Sequence, residues 1–486
     1  MPAVALPARC YAACPLPLSR CLPADRRVAI IGNVKNRSSC VLVVAVLLQV
    51  AIAALGSSGR AQEPKPDSTG TDETPANSST PALQAPPALQ TPPATSPEST
   101  LEIFLITVGA GRQVWERFGH NAIWVRDTVR GIDRAYNYGM FSFDDPGFLS
   151  RFVRGEMDYW MEGFETERML RAYEAADRSI WIQELDLTAE QKRALYEFEQ
   201  WNERPENRVY RYDYYRDNCS TRVRDALDRV LDGRLRETFE GVETGTTYRS
   251  HFRRLMSPDP LIYTGGSFAI GPATDRPISA WEEMFLPVRM MEYLREMTVP
   301  DGNGGEKPLV KRELTFYEST LGPEPEAPPD WRLQFLAVGV SLAGLFVLLG
   351  WLGSRWRGAR FLAALTSTAW ALVLGIGGVF MLGIWFLTAH WAGYRNENLF
   401  FLNPLALALV VLIPYAALAK PWAVRWARGL ATFLAAAAIL GLILQPLPWL
   451  PQTNAEIIAA VLPPTLAMTW VVLRLTRDPG GTSESV

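Results

Sequence analysis

From Arg332 to Arg474 the chain carries only eleven charged residues, two of them acidic, in a stretch otherwise dominated by Leu, Ala, Val, Trp and Phe. A water-soluble domain of that length cannot cover its surface with so few charges, so this half is expected to be solvated by lipid. Five apolar segments occupy it, roughly Leu333–Leu352, Phe361–Thr388, Phe400–Ala419, Leu430–Leu447 and Ile457–Leu473. Each can cross a hydrocarbon layer about 30 Å thick at about 1.5 Å per residue, the last ones with help from their flanks. Arg355, Arg357 and Arg360 fall in the first connection, Lys420, Arg425 and Arg428 in the third, and Arg474 and Arg477 follow the last span. The second connection has only Arg395, offset by Glu397, and the fourth has no Lys or Arg. The positive-inside rule then places the odd connections and the C-terminal tail (477–486) in the cytoplasm, and whatever precedes the first span outside it.

The other end of the chain agrees. Arg20, Arg26, Arg27, Lys35 and Arg37 precede the apolar run Val41–Leu55, broken only by Gln49, and Gly59-Arg60-Ala61 resembles a small-residue cleavage site. Residues 1–61 therefore read as a signal peptide or an uncleaved anchor. Cys10, Cys14, Cys21 and Cys40 all lie within it, which leaves Cys219 as the one thiol of the exported part, with no intramolecular disulfide partner. Residues 62–100 hold nine prolines among Ser, Thr, Ala and Gln and cannot bury enough apolar surface to fold, so they read as an extended tether. The formal net charge of −3 argues against nucleic acid as a partner.

Between tether and membrane domain (331–476), residues 101–330 are rich in Arg, Asp, Glu and aromatic side chains and read as an α+β domain. Leu101–Val108 is a strand. Asn121–Asp127 and Arg134–Gly139 form a hairpin that turns near Gly131, with His120 at the mouth of its first strand. Gly109-Ala110-Gly111 lacks the rest of a phosphate loop and reads as a turn. Thr188 with Gln191 is a capping box opening a helix through Trp201. Alternating Tyr210, Tyr212 and Tyr214 lead into a helix marked by Val223, Leu227, Val230 and Leu231, so Cys219 sits at that helix's start. Orphan amides and the helix dipole there favour an anion and are expected to lower the thiol pKa. A small buried core thiol is the plainer reading of the same residue.

A thiol nucleophile needs a base, and His120 is the best placed of His120, His251 and His390; a structural histidine is the alternative. A His that precedes the Cys, with strands between, is the circularly permuted order of a papain-like thiol fold. Asn137 on the next strand is the choice for a third, orienting group, although simple hairpin register would set it nearer Trp124; Glu116, Ser142 and Asp144 stay open. One cysteine and three scattered histidines offer no ligand pair, so neither a metal nor another cofactor is expected. In the outer loop after the second span, His390, Asn398 and Asn403 gather polar groups at a hydrophobic boundary, as either a substrate-binding element or an interfacial belt.

Glu116-Arg117-Phe118-Gly119-His120, Tyr136-Asn137-Tyr138-Gly139, Asp217-Asn218-Cys219-Ser220-Thr221-Arg222 and the stretch from His390 to Asn403-Pro404-Leu405 resemble the Lnb-type lipoprotein N-acyltransferases over about residues 101–475. The resemblance implies an NlpC-like periplasmic thiol domain joined to inner-membrane helices. It also implies transfer of an acyl chain from a membrane phospholipid to the N-terminal cysteine amine of a diacylated lipoprotein, through a thioester on Cys219 with His120 as base. Ser142 stands where the family pattern has Asp. Two other classes keep the same residues: a membrane-tethered cysteine peptidase or amidase acting on cell-wall peptides, and a non-catalytic lipid- or lipoprotein-binding module.

Overall fold

The structure is a computed structural model and describes residues 100–476. The leader, nearly all of the tether and the C-terminal tail lie outside the described residues. Those described form two compact units: one holds residues up to Thr244 together with Ile278–Glu324, the other Gly245–Pro277 and everything from Pro325.

In the first unit seven strands form one antiparallel sheet: β1 (Glu102–Val108), β2 (His120–Asp127), β3 (Ile132–Met140), β4 (Asp158–Glu165), β5 (Ile180–Leu185), β6 (Val209–Arg211) and β7 (Val310–Tyr317), in the order β7-β5-β1-β2-β3-β4-β6. Both faces are buried at β1, where every residue except Glu102 is buried, Thr107 included. Ile103 and Leu105 join Ile123 and Val125 on one face. Phe104, Ile106 and Val108 join Ala122 and Ala135 on the other. A short helix, α1 (Phe148–Arg154), follows β3, and α2 (Thr166–Ala175) covers the second face through Met169, Leu170 and Tyr173. The first face is covered by α3 (Ala189–Asn202), α4 (Cys219–Val230) and α5 (Pro287–Glu296). Met284, Met290 and Leu294 belong to the same core.

The Thr188 capping box opens α3 as read, with Gln191 N–H donating to Thr188 Oγ1 at 3.2 Å. β7 had no counterpart in the sequence reading. Its Val-Lys-Arg-Glu run lacks apolar alternation because it is an exposed sheet edge, where charge discourages further pairing; Lys311 and Arg312 instead pair with Glu184 on β5 at 2.9 and 2.6 Å.

The second unit has four helices long and apolar enough to cross a membrane: α6 (Arg332–Leu352), α7 (Arg357–Leu387), α9 (Pro421–Leu444) and α10 (Ala455–Leu475). The segment expected as a third span is shorter as a helix: α8 (Ala406–Ala417) has 12 residues, about 18 Å, well under a bilayer's hydrocarbon thickness. Pro404 and the start of α8 pack where Gly378 of α7 leaves room, a Cβ there falling 2.4 Å from Pro404 N. At the other end Ala417 O is within 3.4 Å of Arg360 Nη2, near the start of α7. Ahead of α8 the backbone at Phe401–Leu402 is irregular. It is tolerated there because it is packed within protein and internally bonded: Phe401 N–H and Leu402 N–H donate to Asn398 O at 2.9 and 2.8 Å.

Gly245–Pro277, read from sequence as part of the soluble domain, belongs to this second unit. Glu456 at the head of α10 accepts from Arg253 Nη2 at 2.5 Å and from Tyr263 O–H at 2.9 Å. Arg249, fully buried, donates to Asp275 at 2.8 Å and to the Ser267 and Ile270 carbonyls at 2.9 Å.

Candidate active site

Cys219 is the first residue of α4, half-buried, and the helix start is tightly fixed. Asn218 Oδ1 accepts from Ser220 N–H and Thr221 N–H, both at 2.9 Å, while Asn218 Nδ2 donates to the carbonyls of Tyr214 and Phe285 at 3.0 and 2.9 Å. Arg222 and Asp217, an ion pair almost out of solvent, close the motif from below; Arg222 lies 4.1 Å from the Tyr210 ring centroid.

A buried polar relay ties this helix start to the mouth of β2. Thr107 Oγ1 donates to Asn121 Oδ1 at 2.9 Å, Asn121 Nδ2 to Ser220 Oγ at 3.0 Å, and Ser220 Oγ to Met284 O at 2.6 Å. The residues next to this relay on its two elements are His120 and Cys219. Backbone N–H groups of Asn121, Ser220 and Cys219 itself all act on the sulfur in the direction of its anion. Asn121 and Ser220 carry no catalytic signature of their own, which is why the sequence reading passed over them.

His120 Nε2 and Asn137 Oδ1 are 2.9 Å apart. The register explains how they meet: β2 and β3 pair Ala122 with Asn137 and Trp124 with Ala135, so Asn137 lies diagonal to His120 on the same face. The expectation that Asn137 would sit nearer Trp124 is overturned: the ladder sets it opposite Ala122, midway between Trp124 and His120, and its side chain bonds His120. Asn137 is itself held by donation from Nδ2 to Ala135 O at 3.0 Å. Of Asn137, Glu116, Ser142 and Asp144, Asn137 is the one in hydrogen-bond contact with His120 among the described residues. Glu116 instead accepts from Gln113 N–H at 3.1 Å, and Ser142 from Asp144 N–H at 3.2 Å. With Nε2 on Asn137, Nδ1 is the nitrogen free to take a proton from sulfur. No sulfur–imidazole hydrogen bond forms among the described residues, and such contacts commonly tighten only around substrate.

Desolvation pushes the His120 pKa down to about 4; the Asn137 bond opposes this and the charge of Arg178 adds to it. The imidazole is therefore neutral at neutral pH. Desolvation also raises the Cys219 thiol above its ordinary value, outweighing the three amides and Arg178, which act to lower it. This corrects the expectation of a depressed thiol pKa: the helix-start amides do favour the thiolate, but burial is the larger effect. Both groups therefore rest neutral, a state suited to proton removal by a general base during attack.

Arg178, absent from the sequence reading, is the one cation among the described residues that acts on both groups. It is 4 % exposed, donates from Nε to Gly109 O at 3.0 Å and lies 5.0 Å from the Tyr173 ring centroid. Tyr173 in turn is 5.9 Å from the imidazole, centroid to centroid. Arg178 Nη2 is buried without a hydrogen-bond partner. A single arginine ahead of a strand has no motif to announce it.

The second unit places the remaining sequence candidates. Asn398 is fully buried; its Nδ2 donates to Phe268 O at 3.2 Å and its Oδ1 accepts from Asn454 at 3.0 Å. Asn403 Oδ1 accepts from Leu405 N–H at 3.0 Å, turning the chain into α8. His390 is half-buried, and its carbonyl accepts from Gly393 N–H at 2.9 Å. Asn396 donates to Phe268 O at 2.8 Å and accepts from Gln452 Nε2 at 3.0 Å. These bonds organise the unit internally.

A mixed α/β domain with a thiol and an imidazole at adjoining element ends, carried on a chain with membrane-length apolar helices, defines the class. Residues 91–254 match the family model described as the Lnb N-terminal periplasmic domain, so the likeness read from the motifs is borne out over that segment. The chain carries an Lnb-type domain and is a membrane protein with a periplasmic domain. No curated protein and no solved structure matches it.

Proposed function

We propose that the chain is a cysteine-dependent lipoprotein N-acyltransferase of the bacterial inner membrane, with Cys219 as nucleophile, His120 as base and Asn137 as the group that orients it. The observation that carries this reading is the Asn137–His120 bond at 2.9 Å, on a strand whose next residue, Asn121, donates to Oγ of Ser220, the neighbour of Cys219, at 3.0 Å. The order His, Asn, Cys along the chain also supports a permuted papain-like, NlpC-like site. In the first half-reaction His120 Nδ1 takes the thiol proton as sulfur attacks a phospholipid ester carbonyl. Amides at the start of α4 hold the oxyanion, a contact worth about 3–4 kcal/mol per donor in known cases. The carbonyl–oxygen bond breaks, the lysophospholipid oxygen takes the proton from His120, and an acyl thioester remains. In the second half the N-terminal cysteine amine of a diacylated lipoprotein attacks the thioester. His120 takes the amine proton and returns it to the leaving sulfur, which leaves an amide. No step needs a metal or cofactor. His390, Asn398 and Asn403 are retained as candidates for substrate binding.

Mass spectrometry of lipoprotein N-termini from cells with and without this chain tests the reading. An added N-acyl group that requires the chain, and is lost with Cys219→Ser or His120→Ala, is the expected result. Unchanged lipoproteins together with altered cell-wall peptides would instead establish the peptidase or amidase reading.

A further inference from the structure

From the structure we infer that an aromatic strip running outward from Cys219 on the first unit is the binding track for the hydrocarbon chain of the acyl donor. Its inner end is defined by Gly139, where a Cβ would fall 3.4 Å from Cys219 Cβ and 3.6 Å from the Tyr212 ring, so thiol and ring flank one point. Tyr212 stacks on Tyr159 at 4.4 Å between centroids, and Tyr159 on Phe141 at 5.1 Å. Phe141 meets Phe143 edge-on at 5.1 Å, and Phe143 meets Trp115 at 5.8 Å. The inner rings are buried or half-buried, whereas the outer end opens to the surface: Phe143 is 52 %, Trp115 43 % and Leu149 40 % exposed. Helix α1, which carries Leu149, has no buried residue and is held through Phe148, stacked on Phe141 at 5.6 Å.

Isolated exposed apolar side chains are ordinary, but a contiguous set that starts at a nucleophile is not. A hydrocarbon lying along the strip with its end at Cys219 presents its terminal carbonyl carbon to the sulfur, which fits the strip to the acyl part of the donor itself. Ring faces offer a hydrocarbon good contact and offer a peptide backbone few hydrogen-bond partners, so the occupant is a fatty acyl chain. This rests on Cys219 as the nucleophile and not on the identity of the acceptor.

The test uses the full chain in phospholipid nanodiscs and N-alkyl iodoacetamides from ethyl to decyl, with alkylation of Cys219 read by mass spectrometry. In the unsubstituted chain the second-order rate constant should rise about tenfold or more from ethyl to decyl, since a fully buried methylene is worth about fourfold. Phe143→Ser combined with Leu149→Ser should leave the ethyl rate unchanged and reduce that rise to less than about threefold. Should the double variant not fold, Trp115→Ser carries the same expectation. A flat series in the unsubstituted chain, or a rise that survives in the variants, overturns the track. Cys219 inert to every probe, ethyl included, counts instead against the thiol mechanism.

Discussion

At Cys219 and His120 opposite effects meet, and their balance sets the pH behaviour. Burial holds His120 neutral down to about pH 4. Its basic form is therefore lost only as pH falls through that value, and transfer should keep its rate down to about pH 5 where an ordinary imidazole would already be protonated. An acid limb near 6.5 would contradict this. Arg178 pulls the thiol pKa down against desolvation, so Arg178→Gln should move the alkylation profile of Cys219 to higher pH, and Arg178→Lys should restore it. An unmoved midpoint in the Gln variant would mean that the guanidinium serves packing only. Asn137→Ala leaves His120 chemically intact but unoriented, and should lower turnover by about 10²-fold with little change in substrate affinity. Cys219, His120 and Asn137 were legible because each sits in a local signal: a lone exported thiol at a helix start, a histidine after glycine at a strand mouth, an asparagine on the pairing strand. Arg178 was not, because its relation to the site passes through Tyr173, on an element whose contact with β2 no spacing reveals.

Among the elements, the relay Thr107–Asn121–Ser220–Met284 joins β1, β2 and α4 and so sets how histidine and cysteine face each other. Asn121→Ala would strip the buried Ser220 hydroxyl of its donor and Thr107 of its acceptor, at a cost of about 1–3 kcal/mol. A lowered melting temperature of the detergent-solubilised chain, with slower Cys219 acylation, is expected; full stability and rate would show that α4 is placed by its apolar face alone. Elements with clear local signals, β1 to β3, α3 and α4, follow from the sequence. The edge strand β7 does not, since Lys311, Arg312 and Glu313 obscure its alternation, and the hairpin register was missed because one-dimensional spacing does not fix a turn.

For the whole molecule, the membrane half was legible from charge scarcity alone. The shortness of α8 was not, since an apolar run does not announce where irregular backbone replaces helix. The loop charges predict that a cysteine at Ser354 is labelled from the cytoplasm and one at Thr453, exposed between α9 and α10, from the periplasm. Opposite labelling would reverse the orientation. Glu456 anchors Arg253 and Tyr263, so Glu456→Ala should strand a mostly buried guanidinium and lower thermal stability by several kcal/mol. Unchanged melting would remove that anchor from the account. The most direct test of the central claim is to incubate the chain in nanodiscs with acyl-labelled phospholipid, without lipoprotein, and to map the label by peptide mass spectrometry. A hydroxylamine-labile acyl group on Cys219, absent from Cys219→Ser and discharged when a diacylated lipopeptide with a free N-terminal amine is added, is the predicted result. Acyl transfer to the lipopeptide that persists in Cys219→Ser would contradict it.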